Sequence, residues 1–193
     1  MRFFPVGRQS VFWLSAVSAV SASVVALSIA QICLASQPAT GNNATLQCDV
    51  KKASAWVNEE NIGKKPAADE KDVPLPYRTY DFYAVTDVTI TNKTSASLPV
   101  SLSAVELSIN GKPCAAPVLS LDSKDVQVDK DLRHFQLPGK KKANVSIRMA
   151  GNYGIKHKNG TPVISKITLN AGKEEIKVSS KTQFDDAFVG LQK

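Results

Sequence analysis

The longest regular feature of the sequence is an alternation of apolar and polar residues over residues 80–94, YDFYAVTDVTITNKT. One side of this segment carries Phe82, Ala84, Thr86, Val88 and Ile90. Because successive side chains of a strand point to opposite faces, a period of two predicts an antiparallel strand with one face buried. The same period predicts shorter strands over residues 46–50, with 53–57 as a continuation, and over residues 100–109, 126–128, 145–149, 163–169 and 176–178, and residues 118–121 form a short apolar run.

The connections between these segments carry the signals of tight turns. Asn110 and Gly111 follow the strand pattern of residues 105–109, and Gly172 separates the last two strand patterns. Asn-Gly and other Gly-containing pairs between alternating segments are typical of hairpins. The alternation also slips by one position between Ala104 and Val105, which predicts a β-bulge or a crossing from one sheet to another.

Roughly seven to nine short strands with turn signals between them predict an all-β sandwich or barrel. The run from TDVTITN through the slipped strand to LPGKKKANVSIRM resembles small immunoglobulin-like domains of secreted bacterial proteins in its general layout. This resemblance implies an immunoglobulin-like antiparallel β-sandwich. The Cys–Trp–Cys spacing of antibody domains is not met, because Trp56 lies only eight residues after Cys48.

Two segments depart from the strand pattern. Residues 58–76, NEENIGKKPAADEKDVPLP, are polar and proline-rich and predict a loop of a length that is usually functional or disordered. In the tail, Phe184, Ala187, Phe188 and Leu191 follow the i, i+3, i+4, i+7 spacing of one face of a helix. We therefore predict a short C-terminal helix, which either caps the sandwich or binds a partner.

The N-terminal segment reads as a targeting signal. Arg2 and Arg8 precede a stretch, residues 9–47, that has no charged side chain and is mostly apolar up to Ala30. A positive front, an apolar middle and small residues beyond are typical of a secretory signal. We expect residues 1–35 to be a signal peptide, or alternatively an uncleaved signal anchor, and residues 36–193 to form one β-sandwich domain. Both alternatives place the domain outside the cytoplasm, in the periplasm or secreted.

Outside the signal, two cysteines remain, Cys48 and Cys114, 66 positions apart. An even pair in an oxidising compartment predicts a disulfide bond, and two free thiols are the alternative. A loop of this length would add about 4 kcal/mol to the free energy of unfolding.

The formal net charge of +7 comes mainly from lysines that occur in short runs, among them residues 140–142. Sequence-specific nucleic-acid readers favour arginine and stacking aromatic residues, and neither is interleaved with these lysines. We therefore predict no nucleic-acid partner. Two interpretations stay open: solvated lysines at turns, or weak affinity for an anionic polymer or lipid of the cell surface.

No catalytic or cofactor motif stands out in the sequence. A serine hydrolase needs a histidine base, and His134 and His157 lie in no recognisable signature. Asp122, Asp125 and their neighbours lack the spacing of a calcium loop. We predict that the protein is not an enzyme and has no cofactor or metal, with a small extracytoplasmic hydrolase as the competing class.

The function that the sequence favours is an exported, non-catalytic binding module of the cell envelope or extracellular space. A protein partner is the first candidate, because aromatic anchors supply most interface energy. An anionic envelope polymer, bound through the lysine clusters, is the second. The predicted partner-binding residues are Tyr77, Tyr80, Tyr83, Phe184, Phe188 and Leu191.

Overall fold

The computed structural model describes residues 39–156 and 160–184. Within them, strands alternate with turns and with three short 3₁₀ helices, η1 (Glu59–Asn61), η2 (Ala68–Asp72) and η3 (Leu75–Tyr77). The strands are β1 (Thr40–Asn42), β2 (Leu46–Val57), β3 (Phe82–Asn92), β4 (Leu98–Ile109), β5 (Lys112–Pro113), β6 (Val118–Ser123), β7 (Val128–Asp129), β8 (His134–Leu137), β9 (Lys142–Gly151), β10 (Pro162–Ala171) and β11 (Glu174–Gln183).

These strands form two antiparallel sheets. Sheet A has the order β1-β2-β3-β9-β6, and sheet B has the order β11-β10-β4-β8-β7, with β5 paired to β4. The described domain is thus an all-β, two-sheet structure, as the strand pattern predicts. Among the described residues, no helix is long and apolar enough to cross a membrane.

The alternating stripe of residues 80–94 becomes β3, the central strand of sheet A. It pairs with β2 on one side and with β9 on the other along almost its whole length. Its inward side chains, from Phe82 to Ile90, are all less than 5% exposed. A strand that is paired on both edges and covered on one face needs this period of two, so the prediction for this segment is confirmed.

The predicted slip in the β4 pattern is a bulge. The pairing of β4 with β10 shifts register between Thr168 and Leu169, which oppose Ala104 and Leu102. Ser103 is the extra residue, and its hydroxyl donates to the Thr168 carbonyl at 3.1 Å. The bulge lets Leu102 and Val105 both face the core, so the strand stays in one sheet.

One core fills the space between the sheets. Three buried hydroxyls cross it, because Ser180 Oγ lies 3.1 Å from Thr86 Oγ1 and 2.6 Å from Ser165 Oγ. They join β3 of sheet A to β10 and β11 of sheet B. Each hydroxyl is satisfied by a neighbour, which removes most of the cost of burying it.

Residues 58–76 form an ordered layer over the outer face of sheet A. Glu70 accepts hydrogen bonds from the amide and the hydroxyl of Thr79, and these bonds lower the pKa of its carboxyl group. The Arg78 guanidinium donates to the carbonyls of Val73, at 2.7 Å, and Lys71, at 2.5 Å. Leu75, which is 5% exposed, packs with Tyr83 and Ala150 of the sheet. The segment therefore covers part of the sheet as a fixed structural element.

The predicted disulfide is not formed: Cys48 and Cys114 are free thiols. Cys48 pairs with Ile90, eight residues along β3 from Phe82. Cys114 lies near the Phe82 end, because Tyr153 contacts the Phe82 ring and donates to the carbonyl of Ala115. At the rise of a strand the two ends are about 27 Å apart. A disulfide needs Cα atoms within about 7 Å, so the bond cannot close in this fold.

Candidate functional site

Four turns meet at one end of the sandwich. They join β1 to β2, β3 to β4, β8 to β9, and β10 to β11. The strand register brings them together, since Leu46 opposes Asn92 in sheet A and Val100 opposes Ala171 in sheet B. Five lysines belong to this surface, which we call the lysine end: Lys93, Lys140, Lys141, Lys142 and Lys173.

Hydrogen bonds between the turns hold this surface together. The Lys93 amide donates to the Thr45 carbonyl at 2.8 Å, and the Thr45 hydroxyl donates to the Glu174 carboxylate at 2.8 Å. Lys93 Nζ donates to Asn42 Oδ1 at 2.8 Å and to the carbonyl of Asn43. These hydrogen bonds link the β1–β2 turn to the β3–β4 turn and to the β10–β11 turn.

Asn92 attaches the β8–β9 turn to the same surface. Its side-chain amide is 1% exposed and donates to the carbonyls of Ala96, Leu137 and Pro138 at 2.8 to 3.1 Å. Its side-chain oxygen accepts from the amide and hydroxyl of Thr94. A buried amide with donors and acceptor both satisfied holds the two turns in one arrangement.

The β8–β9 turn also depends on a close backbone approach. A Cβ atom at Gly139 would lie 1.9 Å from the carbonyl oxygen of Ser95, a distance at which no side chain fits. The next residue, Lys140, has φ 60°, in the left-handed region, and its amide donates to the Thr94 carbonyl at 2.8 Å. The chain therefore presents Lys140 and Lys141 directly beside Lys93.

The lysine end carries an excess of positive charge. Lys140, Lys141, Lys142 and Lys173 are exposed, and Lys93 is half-buried. The acidic residues in the same turn region are Glu174, which accepts from Thr45, and Glu175, which lies 3.0 Å from Lys177 Nζ. Asp49 and Asp125 lie further along the outer face of sheet A, where Asp49 accepts a hydrogen bond from Gln47 and Asp125 accepts one from Asn144.

This arrangement suits an extended anion with many charges. Lysine ammonium groups are compact point charges on flexible stems, and they bind phosphate without the fixed geometry of an arginine fork. No arginine belongs to the lysine end among the described residues. The surface can therefore neutralise several neighbouring phosphate or carboxylate groups.

The predicted aromatic platform is mostly internal packing. Tyr83 is 4% exposed beneath Leu75, donates its hydroxyl proton to the Arg78 carbonyl and accepts from the Tyr80 amide. The Tyr80 ring meets the Tyr83 ring edge to face at 6.3 Å. Tyr77 alone among the three is largely exposed, at 55%. Covering by the loop leaves Tyr83 almost no free surface, so the fold gives no support to its predicted binding role.

The predicted tail site is also changed by the fold. Phe184 is 3% exposed, packs against Phe82 at a ring distance of 6.1 Å and forms a bridge to Ala55 of β2. It belongs to the core, so the fold gives no support to its proposed role as a partner anchor. Phe188 and Leu191, with most of the predicted helix, lie outside the described residues, as does the predicted signal segment.

The candidate catalytic and metal-binding residues that the structure describes do not assemble into a site. Among the described residues, no side-chain hydrogen bond joins His134 to a serine or an aspartate, and no group of three or more His, Cys, Asp or Glu is placed to hold a metal ion. Asp129 instead accepts from the amides of Asp131 and Leu132. His157 lies outside the described residues.

Sequence reasoning found only part of the lysine end. The run at residues 140–142 is visible in the sequence, but Lys93 and Lys173 stand as single residues in predicted turns. One feature of the sequence could have helped to group these lysines. In an antiparallel sheet, consecutive turns lie at alternate ends, so turns can be assigned to ends before the strand order is known. The long loop and the sheet crossings prevent that assignment from being made along this chain.

No protein-family model matches the sequence, and no relative is found among curated proteins. A functionally unknown protein from Listeria monocytogenes EGD-e superimposes with a TM-score of 0.43 and 12% identity over 77% of this chain and 84% of that chain. The cupredoxin domain of amoB from Nitrosocaldus yellowstonii superimposes with a TM-score of 0.41 and 7% identity over 74% of this chain and 86% of that chain.

A third similar structure is a protein from Bacillus subtilis (ycdA), provisionally assigned as a lipoprotein. It gives a TM-score of 0.41 and 10% identity over 75% of this chain. The chain spans 38% of the length of that protein. These similarities are distant, and they carry no argument about function.

Proposed function

We propose that this protein is a non-catalytic binding module that acts outside the cytoplasm and binds an anionic polymer through the lysine end. One observation carries the proposal: lysines from three separate turns, Lys93, Lys140 to Lys142 and Lys173, converge on one end of the sandwich. The protein partner favoured by the sequence loses support here, because Tyr83 and Phe184 are buried.

Binding would depend on counterion release. A polymer with regularly spaced charges carries condensed cations, and each lysine that neutralises a charge releases them into solution. Affinity then falls steeply with salt, whereas contacts through apolar anchors respond little. Lysines on flexible stems can follow a mobile polymer and need no fixed register.

The test uses inorganic polyphosphate as the probe, titrated at several salt concentrations by calorimetry. We expect the logarithm of the affinity to fall linearly with the logarithm of the salt concentration. Replacing Lys140, Lys141 and Lys142 by Gln should lower the affinity about tenfold or more and reduce the slope by about two, at roughly 0.7 per neutralised phosphate.

The matched control removes the same charge elsewhere. Lys64, Lys65 and Lys112 are exposed and lie at the opposite end of the sandwich, so their replacement by Gln should leave the affinity nearly unchanged. Equal losses in the two triple variants would show that only net charge matters and would overturn the proposed site. Binding to phosphatidylglycerol vesicles without binding to polyphosphate would favour a lipid surface and contradict a polymer.

The remaining parts of the proposal rest on the sequence. The extracytoplasmic location depends on the charged front and apolar stretch of residues 1–35. Within the two-sheet architecture, we further propose that the fold is immunoglobulin-like. An experimentally determined strand order tests this assignment. Non-catalytic action is tested by replacing His134 and His157 with Ala. An activity that disappears in this variant would support a hydrolase instead.

A further inference from the structure

The outer edge of sheet A is formed by β6. This strand pairs with β9 on one side, from Val118 opposite Ala150 to Ser123 opposite Val145. On its other side no strand pairs with it among the described residues. The backbone donors and acceptors that point to this side are therefore available for a further strand.

A cleft of about 380 Å³ runs along this edge. Four consecutive residues of β6, Leu119 to Asp122, line it. Consecutive side chains of a strand point to opposite faces, so all four can line one cleft only along the backbone edge between the faces. One wall comes from the layer over the sheet, between Lys71 and Leu75, and the other comes from Lys130 and Asp131 in the β7–β8 turn.

We propose that this edge binds an extended polypeptide segment of a partner protein, which adds as a strand beside β6. Backbone hydrogen bonds to a free sheet edge are a general mode of peptide recognition, in which side-chain pockets add specificity. This inference concerns a different surface from the lysine end and does not depend on polymer binding.

The walls decide between a single peptide and a second copy of the chain. Edge-to-edge pairing of two whole sheets would bring the partner's neighbouring strands and layers against both walls. The walls stand beside the edge on either side, at Lys71 to Leu75 and at Lys130 and Asp131, where the neighbouring strands of a second whole sheet would meet them. A lone extended segment is therefore the occupant that fits.

The side chains around the edge describe the peptide that would suit it. Val118 is 40% exposed at the start of β6 and offers an apolar contact. Further along, Arg148 and Asp122 form an ion pair at 3.2 Å on the outer face. Cross-strand neighbours interact in pairs, so the favoured segment has an apolar residue near Val118 and polar or charged residues opposite Ser120 and Asp122.

The test begins with selection of binders from a phage-displayed library of random linear peptides against the whole protein. A selected peptide is then added to the protein, and amide hydrogen exchange is followed residue by residue. We expect alternate amides of β6, those on the open edge, to become protected, because every second N–H of an edge strand points outward. Protection confined to other surfaces, or no selected peptide at all, would overturn the proposal.

Proline substitution supplies an independent measurement. Leu119→Pro and Ser120→Pro each remove one N–H, and only one of the two lies on the open edge. The variant whose unfolding midpoint stays near that of the parent is the edge variant, and it should bind the selected peptide about tenfold more weakly. The Gln variant of residues 140–142 should bind the peptide unchanged. If the edge variant binds the peptide as tightly as the parent does, strand addition is contradicted. If both proline variants unfold, the amide hydrogen exchange of β6 in the parent protein is the deciding measurement.

Discussion

At the scale of single residues, Asp81 organises the end of the sandwich opposite the lysine end. Its carboxylate is 1% exposed and accepts from the amides of Tyr153 and Gly154 at 2.7 to 3.1 Å. Its own amide donates to Asn152, and its carbonyl accepts from Asn58. One residue thus connects the start of β3 with the chain that leaves β2 and the chain that leaves β9.

Removing this carboxylate should destabilise the domain. In Asp81→Ala two backbone amides lose a buried, charged acceptor, and we expect the free energy of unfolding to fall by about 2–3 kcal/mol. Asp81→Asn keeps one acceptor and should lose less. Urea unfolding measures both, with Asp69→Ala as the control because Asp69 is exposed. A loss in Asp81→Ala no larger than in the control would mean that water replaces the carboxylate.

Cys48 makes stability depend on pH in the alkaline range. Burial, and to a smaller degree the charge of Asp49, raise its pKa from 9.0 to about 12. The folded state therefore favours the protonated thiol, so its contribution is complete below pH 9 and is lost as the pH rises toward 12. Above pH 9, wild type should lose about 1.4 kcal/mol per pH unit more than Cys48→Ala.

Urea unfolding at a series of pH values from 9 upward measures this difference. Cys114→Ala is the matched control, since the pKa of Cys114 is also raised by burial but to a smaller extent. Cys114→Ala should therefore change the dependence of the unfolding free energy on pH less than Cys48→Ala does. Parallel slopes for wild type and Cys48→Ala would show that the thiol ionises as easily in the folded state as in the unfolded chain.

At the scale of elements, turns pack against turns, and this packing builds the lysine end. The β8–β9 turn approaches the β3–β4 turn so closely that Gly139 has no room for a Cβ atom. Asn92 then joins the two turns with hydrogen bonds from a buried position. The charges of Lys140 and Lys141 are consequently held beside Lys93 by backbone geometry.

Gly139→Ala should therefore have a larger effect than an ordinary glycine substitution. The neighbour is a backbone carbonyl, which cannot rotate away, and we expect a loss of about 3 kcal/mol in the free energy of unfolding. Gly172→Ala is the control, since Gly172 has φ 62° but no atom near its Cβ position, and it should cost only about 1 kcal/mol. Thermal and urea unfolding compare the two, and equal losses would show that the turns move apart readily.

At the scale of the whole molecule, the two ends of the sandwich differ in chemistry. One end carries the lysines of three turns, and the other carries the loop of residues 58–76, Asp81 and Cys114. Cys48 and Cys114 lie at opposite ends, so no covalent link between them supplements the core.

A reducing agent should accordingly leave the stability unchanged. We expect the same unfolding midpoint with and without reductant, where a closed disulfide loop would have added about 4 kcal/mol. Alkylation under denaturing conditions, followed by mass measurement, should find both Cys48 and Cys114 modified without prior reduction. Loss of stability on reduction, together with failure of both thiols to react with the alkylating agent, would show that the protein is cross-linked in another arrangement.

Sequence alone determined the features that depend on neighbouring residues. The period of two identifies β3 and most other strands because each strand shows its two faces locally. The slip at Ala104 and Val105 marks the bulge, and Asn110 with Gly111 marks a turn, since both residues adopt positive φ. These are consequences of backbone geometry within a few positions, and a single chain carries them in full.

Tertiary structure alone decided the features that depend on which strands meet. It placed Leu75 over Tyr83, moved Phe184 into the core, separated Cys48 from Cys114 and gathered Lys93, Lys140 and Lys173 at one end. Each of these outcomes joins residues that are distant in sequence through the pairing order of two sheets. Alternation tells which face of a strand is buried, but not which strand lies beside it, because every half-buried strand presents the same apolar pattern to any partner.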